Sequence, residues 1–393
     1  MSFRASRARQ LVLLIVIVVF LGATGGCKQG PWILWNNYAA HFMDGQGRVI
    51  DPQGGNRTTS EGQSYALFFA LAANDRTRFD RTLGWTQTNL ARGSLENNLP
   101  GWLWGKSKEG NWKLLDPNPA ADADIWIAYS VLEAGRLWKD AHYTNLARKM
   151  VALIAQKEVA TLPGFGPMLM PGLPSLFHHG QNWTVNPSYL PVFIFDRFAV
   201  VDPAGPWKQI GLNVPRLIEQ SSRHGFAMDW VDYVPGDGFY PASAPGGVVA
   251  PKDVPPAIGS YDAIRVYLWA AMLDNGNPAR SQLLGSLSGM GSFMSHHGAP
   301  PEKVSDQGMP LEQDGPVGFS AAVLPYLKTF PDLERAAVQQ KVRMSAQLDR
   351  STGLYGKDPA YYDQNLALFA NGFMDGRFRF SLRGELKVEW THS

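Results

Sequence analysis

The amino-acid sequence predicts an all-α protein, a barrel or toroid built from paired helices. Three observations carry this. Apolar residues recur at helical spacing in roughly eleven separate stretches. Gly-, Pro- and Asn-rich loops separate those stretches, with no regular alternation of strand and helix. No low-complexity linker and no repeat of fixed period divides the chain, which argues against a solenoid. In such a unit the loops collect at the ends of the helices, where they can line a cleft.

The first residues stand outside that pattern. Arg4, Arg7 and Arg9 come with no acid, residues 11–22 are an apolar run, and small residues follow in ATGGC. A positive start, a short apolar stretch and a small-residue exit read as a signal peptide over residues 1–25. The run falls short of the roughly 20 residues that a membrane span needs. The rival reading is a lipoprotein anchored at Cys27, although Thr24 stands where such sites usually carry Leu. Removal of residues 1–25 turns a formal charge of +2 into about −1. That balance excludes a dedicated nucleic-acid binder. The single cysteine excludes an intrachain disulfide and a Cys-based zinc site. Residues 26–393 are expected to form a single domain, exported to the periplasm or secreted, that meets a membrane only if Cys27 is lipidated.

Helices are expected at 60–74, 76–91, 121–139, 142–160, 187–200, 207–222, 260–273, 278–294, 316–330, 333–348 and 359–375. In the second of these, Phe79, Leu83 and Leu90 share a face. Short extended segments are expected at 47–51, 112–116 and 165–170, with a small hairpin over 377–388.

Four constellations can carry chemistry. Thr58-x-x-Glu61 matches a capping box, so Glu61 reads either as a helix-start carboxylate or as an acid at the mouth of a loop, where partial burial keeps it protonated. Asp122 and Asp124 open an apolar helix. Two acids two residues apart do not share a face, so one can cap while the other points into a cleft. Asp262 and Arg265 stand three apart at a helix start, either as a surface ion pair or as a general base held ionised by its neighbour. Trp102 and Trp104 lie in a Pro/Gly-flanked loop, where flat rings suit the C–H face of a sugar; the alternative for any tryptophan is core packing. The pairs His178-His179 and His296-His297 lie in loops and no HExxH pattern occurs, so neither a metal nor an organic cofactor is expected.

With these residues in view, the chain resembles glycoside hydrolase family 8, and within it the periplasmic endoglucanases of bacterial cellulose synthase operons. The matching stretches are GRVIDP (47–52), TTSEGQSYALFFALAANDR (58–76), LPGWLWGK (99–106), ADADIWIAYSVLEAGRLW (121–138), NPSYLP (186–191), SYDAIRVYLW (260–269) and GPVGFSAAVLP (315–325). Ala121 stands where the family usually has Ser or Thr. The resemblance implies an (α/α)6 barrel and a cellulase that hydrolyses β-1,4-glucan with inversion. It implies Glu61 as proton donor, Asp262 as general base and Asp122 as the residue that binds and distorts the sugar. It places Tyr189, Tyr261 and Arg265 around the cleavage point and Trp102 and Trp104 where glucose units stack. An inverting pair of carboxyls is expected about 6.5–9.5 Å apart. A β-1,4-glucan chain is the implied partner, with cellulose export machinery as a second. The alternatives are a chitosanase or xylanase of the same family, or a non-catalytic glucan-binding part of an export complex.

Overall fold

A computed structural model describes residues 30–243, 256–311 and 313–392. The expected signal peptide and Cys27 lie outside the described residues. Thirteen helices are present among the described residues. They fall into hairpins in chain order: α1 (Ile33–Phe42); α2 (Ser60–Ala72) with α3 (Arg76–Asn89); α4 (Ala121–Leu137) with α5 (Ala141–Glu158); α6 (Val192–Val201) with α7 (Trp207–Ser221); α8 (Ile264–Met272) with α9 (Ala279–Ser286) and α10 (Ser288–Met294); α11 (Val317–Leu327) with α12 (Glu334–Ala346); and α13 (Tyr361–Met374).

Burial sorts these helices into two rings. Nearly every residue of α2, α4, α8 and α11 is buried, whereas α3, α5, α7 and α12 each bury one stripe. A helix apolar on all sides belongs inside, and an amphipathic one covers it. The inner ring runs α2, α4, α6, α8, α11, α13, and each member is backed by an outer partner. The sixth outer position is filled by α1, which packs on α13 and so closes the (α/α)6 barrel. Aromatic rings fill the ring's centre. Trp126 of α4 meets Tyr65 and Phe68 of α2, Phe193 of α6, Trp269 of α8 and Phe369 of α13.

Short antiparallel strands decorate this frame. β1 (Thr58–Thr59), β2 (Leu103–Lys106) and β3 (Trp112–Asp116) form one sheet. β4 (Val159–Leu162) pairs with β5 (Gly166–Leu169). β6 (His178–His179), β7 (Asn182–Val185), β8 (Trp230–Val234) and β9 (Gly238–Ala242) form a four-stranded sheet. Three two-stranded pairs complete the set: β10 (Ile258–Gly259) with β11 (Val304–Ser305), β12 (Leu348–Asp349) with β13 (Leu354–Tyr355), and β14 (Phe378–Phe380) with β15 (Leu386–Val388).

The expected helices and the C-terminal hairpin are present, with six differences. The helices expected at 187–200 and 260–273 begin later, at Val192 and Ile264. α1 went unnoticed in a stretch rich in Trp and Asn. The expected helix at 278–294 is two, broken at Leu287 between Ser286 and Ser288. The expected helix at 142–160 ends at Glu158, where Val159 turns extended to enter β4. Residues 47–51 make two isolated bridges rather than a strand, Met43 to Val49 and Asp51 to Arg57.

Candidate active site

Inner helices begin at one end of the barrel, and the polar residues gather there. At α2, the Oγ1 of Thr59 accepts the N–H of Gly62 at 3.1 Å, so Thr59 and not Thr58 is the cap. Thr58 is spent elsewhere: its hydroxyl donates to the Val49 carbonyl at 2.6 Å and accepts from Arg48 Nε at 2.8 Å. The capping-box reading therefore fails, and Glu61 is released into the cleft. At α4 the cap position is Ala120, with no side-chain cap. One oxygen of Asp122 accepts the N–H of Ala123 at 2.8 Å and the other faces inward. Asp124 neither caps nor lines the cleft; it is fully buried. At α8, Asp262 lies in the turn just before the helix. Asp229 shapes that turn by accepting the N–H groups of Ser260 and Ala263, both at 2.8 Å.

Arg265 ties these three carboxylates together. Its side chain is 2% exposed. Nη1 donates to Glu61 Oε2 at 2.9 Å, to Tyr65 Oη at 2.9 Å and to Asp122 Oδ2 at 3.2 Å. Nη2 donates to Asp262 Oδ1 at 2.5 Å. The planar fork of a guanidinium suits such simultaneous contacts, and its charge is permanent. Asn186 Nδ2 donates to the second oxygen of Asp262 at 3.0 Å. Tyr361 Oη donates to Glu61 Oε1 at 3.3 Å. The Tyr189 ring lies 5.7 Å from the Arg265 guanidinium carbon.

One cation among three carboxyls leaves more potential negative charge than the site can hold. Burial is the largest influence on Glu61 and raises its proton affinity; Arg265 opposes this, and Asp262 adds to the rise. The net direction is upward, so the Glu61 carboxyl keeps its proton beyond the usual carboxylate range. Asp122 is pushed up to about 7, again chiefly by burial, against the pull of Arg265. Asp262 differs in being 30% exposed and held by two donors. The arrangement thus sets Glu61, a carboxyl that keeps its proton, beside Asp262, a more exposed carboxyl oriented by two donors. The cleft above them has a volume of about 360 Å³, and its lining includes Asp51, Arg57, Glu61, Tyr261, Asp262 and Tyr362.

With this geometry in place, the chain can be set beside known proteins. The sequence profile of the glycosyl hydrolases family 8 matches residues 6–376. The chain belongs to glycoside hydrolase family 8. An endoglucanase of Xanthomonas axonopodis pv. citri (strain 306) is 43% identical over 94% of this chain and 92% of its own length. An endoglucanase of Escherichia coli (strain K12) is 40% identical over 96% of both. The solved endo-1,4-D-glucanase from Vibrio fischeri ES114 superposes with a TM-score of 0.82 at 35% identity, covering 92% of this chain and 99% of that one.

In this family 8 glycoside hydrolase, Glu61, Asp122, Asp262, Arg265 and Tyr189 meet as one cluster. Tyr261 stands at the rim, 41% exposed, with its hydroxyl donating to Glu302 at 2.8 Å. Trp102 and Trp104 lie beside the start of α2, since Ser60 N–H donates to the Trp102 carbonyl at 3.0 Å and Trp104 pairs with Thr58. Trp104 is not an open platform, however. It stacks on Trp112 at 4.9 Å and 13°, its ring meets Trp85 edge-on, and Arg48 lies 4.4 Å from its centroid. The ring of this stack that water reaches most is Trp112, 45% exposed. Sequence reasoning missed Tyr361, Tyr362, Asn186 and Asp229. The first two were legible in principle: a Tyr-Tyr pair opening a helix, in a barrel whose inner helices start at one end, must face the cleft. Asn186 and Asp229 act across more than thirty residues of chain, and no local pattern marks them.

Proposed function

We propose that the chain is an endo-1,4-β-glucanase that cuts internal bonds of a cellulose chain by a single inverting displacement. The reading rests on one observation: Arg265 gathers Glu61, Asp122 and Asp262 at the floor of an open cleft. Glu61, kept protonated, donates to the leaving glycosidic oxygen. Asp262, held by Arg265 and Asn186, takes a proton from water on the opposite face of the sugar. Asp122 binds the ring at the cleavage point. Asp51, a further acid in the cleft wall, is spent on Arg57 at 2.9 Å. Among the described residues of the cleft wall that leaves no spare carboxylate to greet the amines of chitosan, which favours an uncharged glucan.

The N-terminal arginines, apolar run and small residues support export from the cytoplasm. The chain then acts on β-1,4-glucan as it leaves a cellulose-synthesising export system. Proton NMR on a cello-oligosaccharide reads the mechanism: an α-anomer appearing first is expected, and a β-anomer first refutes inversion. Reducing-sugar release from carboxymethyl cellulose, chitosan and xylan reads the substrate. Release from carboxymethyl cellulose is expected to dominate, and stronger release from either rival refutes the glucan assignment.

A further inference from the structure

Asp124 and Glu158 have no part in the chemistry above, yet they are among the most buried carboxyls of the chain. Both are 0% exposed. Asp124 sits in the first turn of α4, two residues after Asp122, and Glu158 is the last residue of α5. The two carboxyls meet each other, and none of their four oxygens receives a hydrogen bond from any N–H or O–H of the described residues. The charged group that bears on both is Asp122, and no cation is among the influences on either carboxyl. The backbone holds them in place: Met170 N–H donates to the Glu158 carbonyl at 2.8 Å, and Ala121 N–H donates to that of Pro171 at 3.0 Å.

Two carboxyls in contact, out of water and without a donor, can hydrogen-bond only if a proton lies between them. Glu158 also stands at the negative end of its helix, which disfavours a second charge. We propose that Asp124 and Glu158 form a pair of protonated carboxyls, hydrogen-bonded to each other, that stays uncharged while the enzyme works and positions Asp122 by keeping negative charge away from behind it. Burial moves both groups upward, Glu158 to about 8. Arg265 donates to Asp122, so Asp122 ionises against a neutral neighbour, and its charge then helps hold the protons on the pair. Those two protons belong to the pair rather than to either residue. The proposal rests on the reading of Asp122 as the carboxylate that binds the sugar.

Two substitutions separate charge from shape. In Glu158→Gln the new amide donates to Asp124, which then ionises and places a fixed negative charge behind Asp122. In D124N/E158Q two amides reproduce the neutral hydrogen-bonded pair. At pH 7, E158Q should be less active than D124N/E158Q by about fivefold, because one unit of displacement from about 7 lowers the ionised fraction of Asp122 from about one half to about one tenth. Difference infrared spectra in D2O between the wild-type protein and D124N/E158Q should show a protonated-carboxyl C=O band lost in the variant. That measurement needs no turnover and survives poor folding of E158Q. Absence of the band overturns the proposal. Equal activity of the two variants, with Asp122→Asn strongly impaired, overturns the positioning role alone. Full activity of Asp122→Asn overturns the reading of Asp122 and the positioning role with it, while the band continues to report on the pair.

Discussion

At the residue scale, the cleft floor works by sharing one cation among several acids. Glu61→Gln keeps the size and a donor but cannot deliver a proton, so kcat should fall by several orders of magnitude with the fold intact. Wild-type-like turnover would show that Glu61 only completes the network around Arg265. Gly62 makes a second case. A Cβ there would stand 2.6 Å from the Tyr361 hydroxyl. Gly62→Ala should push Tyr361 off Glu61 and lower kcat, with little change in thermal midpoint; an unaltered kcat would remove Tyr361 from the account of Glu61. The acids also set a stability trend. Asp122 binds its proton more tightly in the folded chain than in the unfolded one, where Asp titrates near about 3.9. Between that value and about 7 the unfolded chain releases the proton first, so this group costs stability as pH rises. The gap in thermal midpoint between Asp122→Asn and wild type should therefore grow from pH 4 to pH 7 and level off above. A gap independent of pH would show that Asp122 titrates normally. Much of this scale was legible in the sequence, because acids beside Gly and Tyr at helix starts are conspicuous. What stayed hidden was that Arg265 serves three carboxyls: spacing exposes only its neighbour Asp262, and the links to Glu61 and Asp122 span 204 and 143 residues.

At the element scale, the site depends on how each inner helix begins. α2 begins with a side-chain cap from Thr59, α4 without one, and the chain before α8 is bent by Asp229. Thr59→Ala should cost about 1 kcal/mol, the usual value of such a cap, read by chemical denaturation. Asp229→Ala removes acceptors from two N–H groups in the turn that carries Asp262. A loss of about 1–3 kcal/mol is expected, with a larger fall in kcat than in affinity for oligosaccharide. A variant that lost stability but kept kcat would show that the turn holds its shape without Asp229. Helix identity was readable from apolar spacing alone, whereas boundaries were not. Residues 260–263 look helical by composition, yet they form a turn because Asp229, 31 residues before Ser260, takes the N–H groups of Ser260 and Ala263. The short strands were equally hard to see, since pairs such as β10 with β11 join segments more than forty residues apart.

At the scale of the whole molecule, the tryptophans divide between two tasks. Trp35, Trp126, Trp207 and Trp269 are buried core, and Trp104 with Trp112 forms a stack near the cleft. Composition showed that there were many but not where they went, because burial is a property of the ring and not of the local sequence. Trp35→Ala in α1 should lower stability by about 3–5 kcal/mol, as large buried aromatics do. An unchanged thermal midpoint would show that the barrel closes without α1.

That closure has a consequence for how the chain reaches its final form. α1 packs on α13, and Arg377 donates to the Gly30 carbonyl at 2.8 Å, so the two ends of the barrel's chain path clasp one another. Synthesis proceeds from the N-terminus, and the partner of α1 is the last helix to emerge. Trp35 and Tyr38 can meet Phe69 of α2 early, whereas Phe42 meets Tyr361 of α13, so the burial of α1 is completed only then. Contacts of such wide sequence separation are slow to form. α1 precedes the other helices of the barrel in the chain and is thus the last of them to be fully seated.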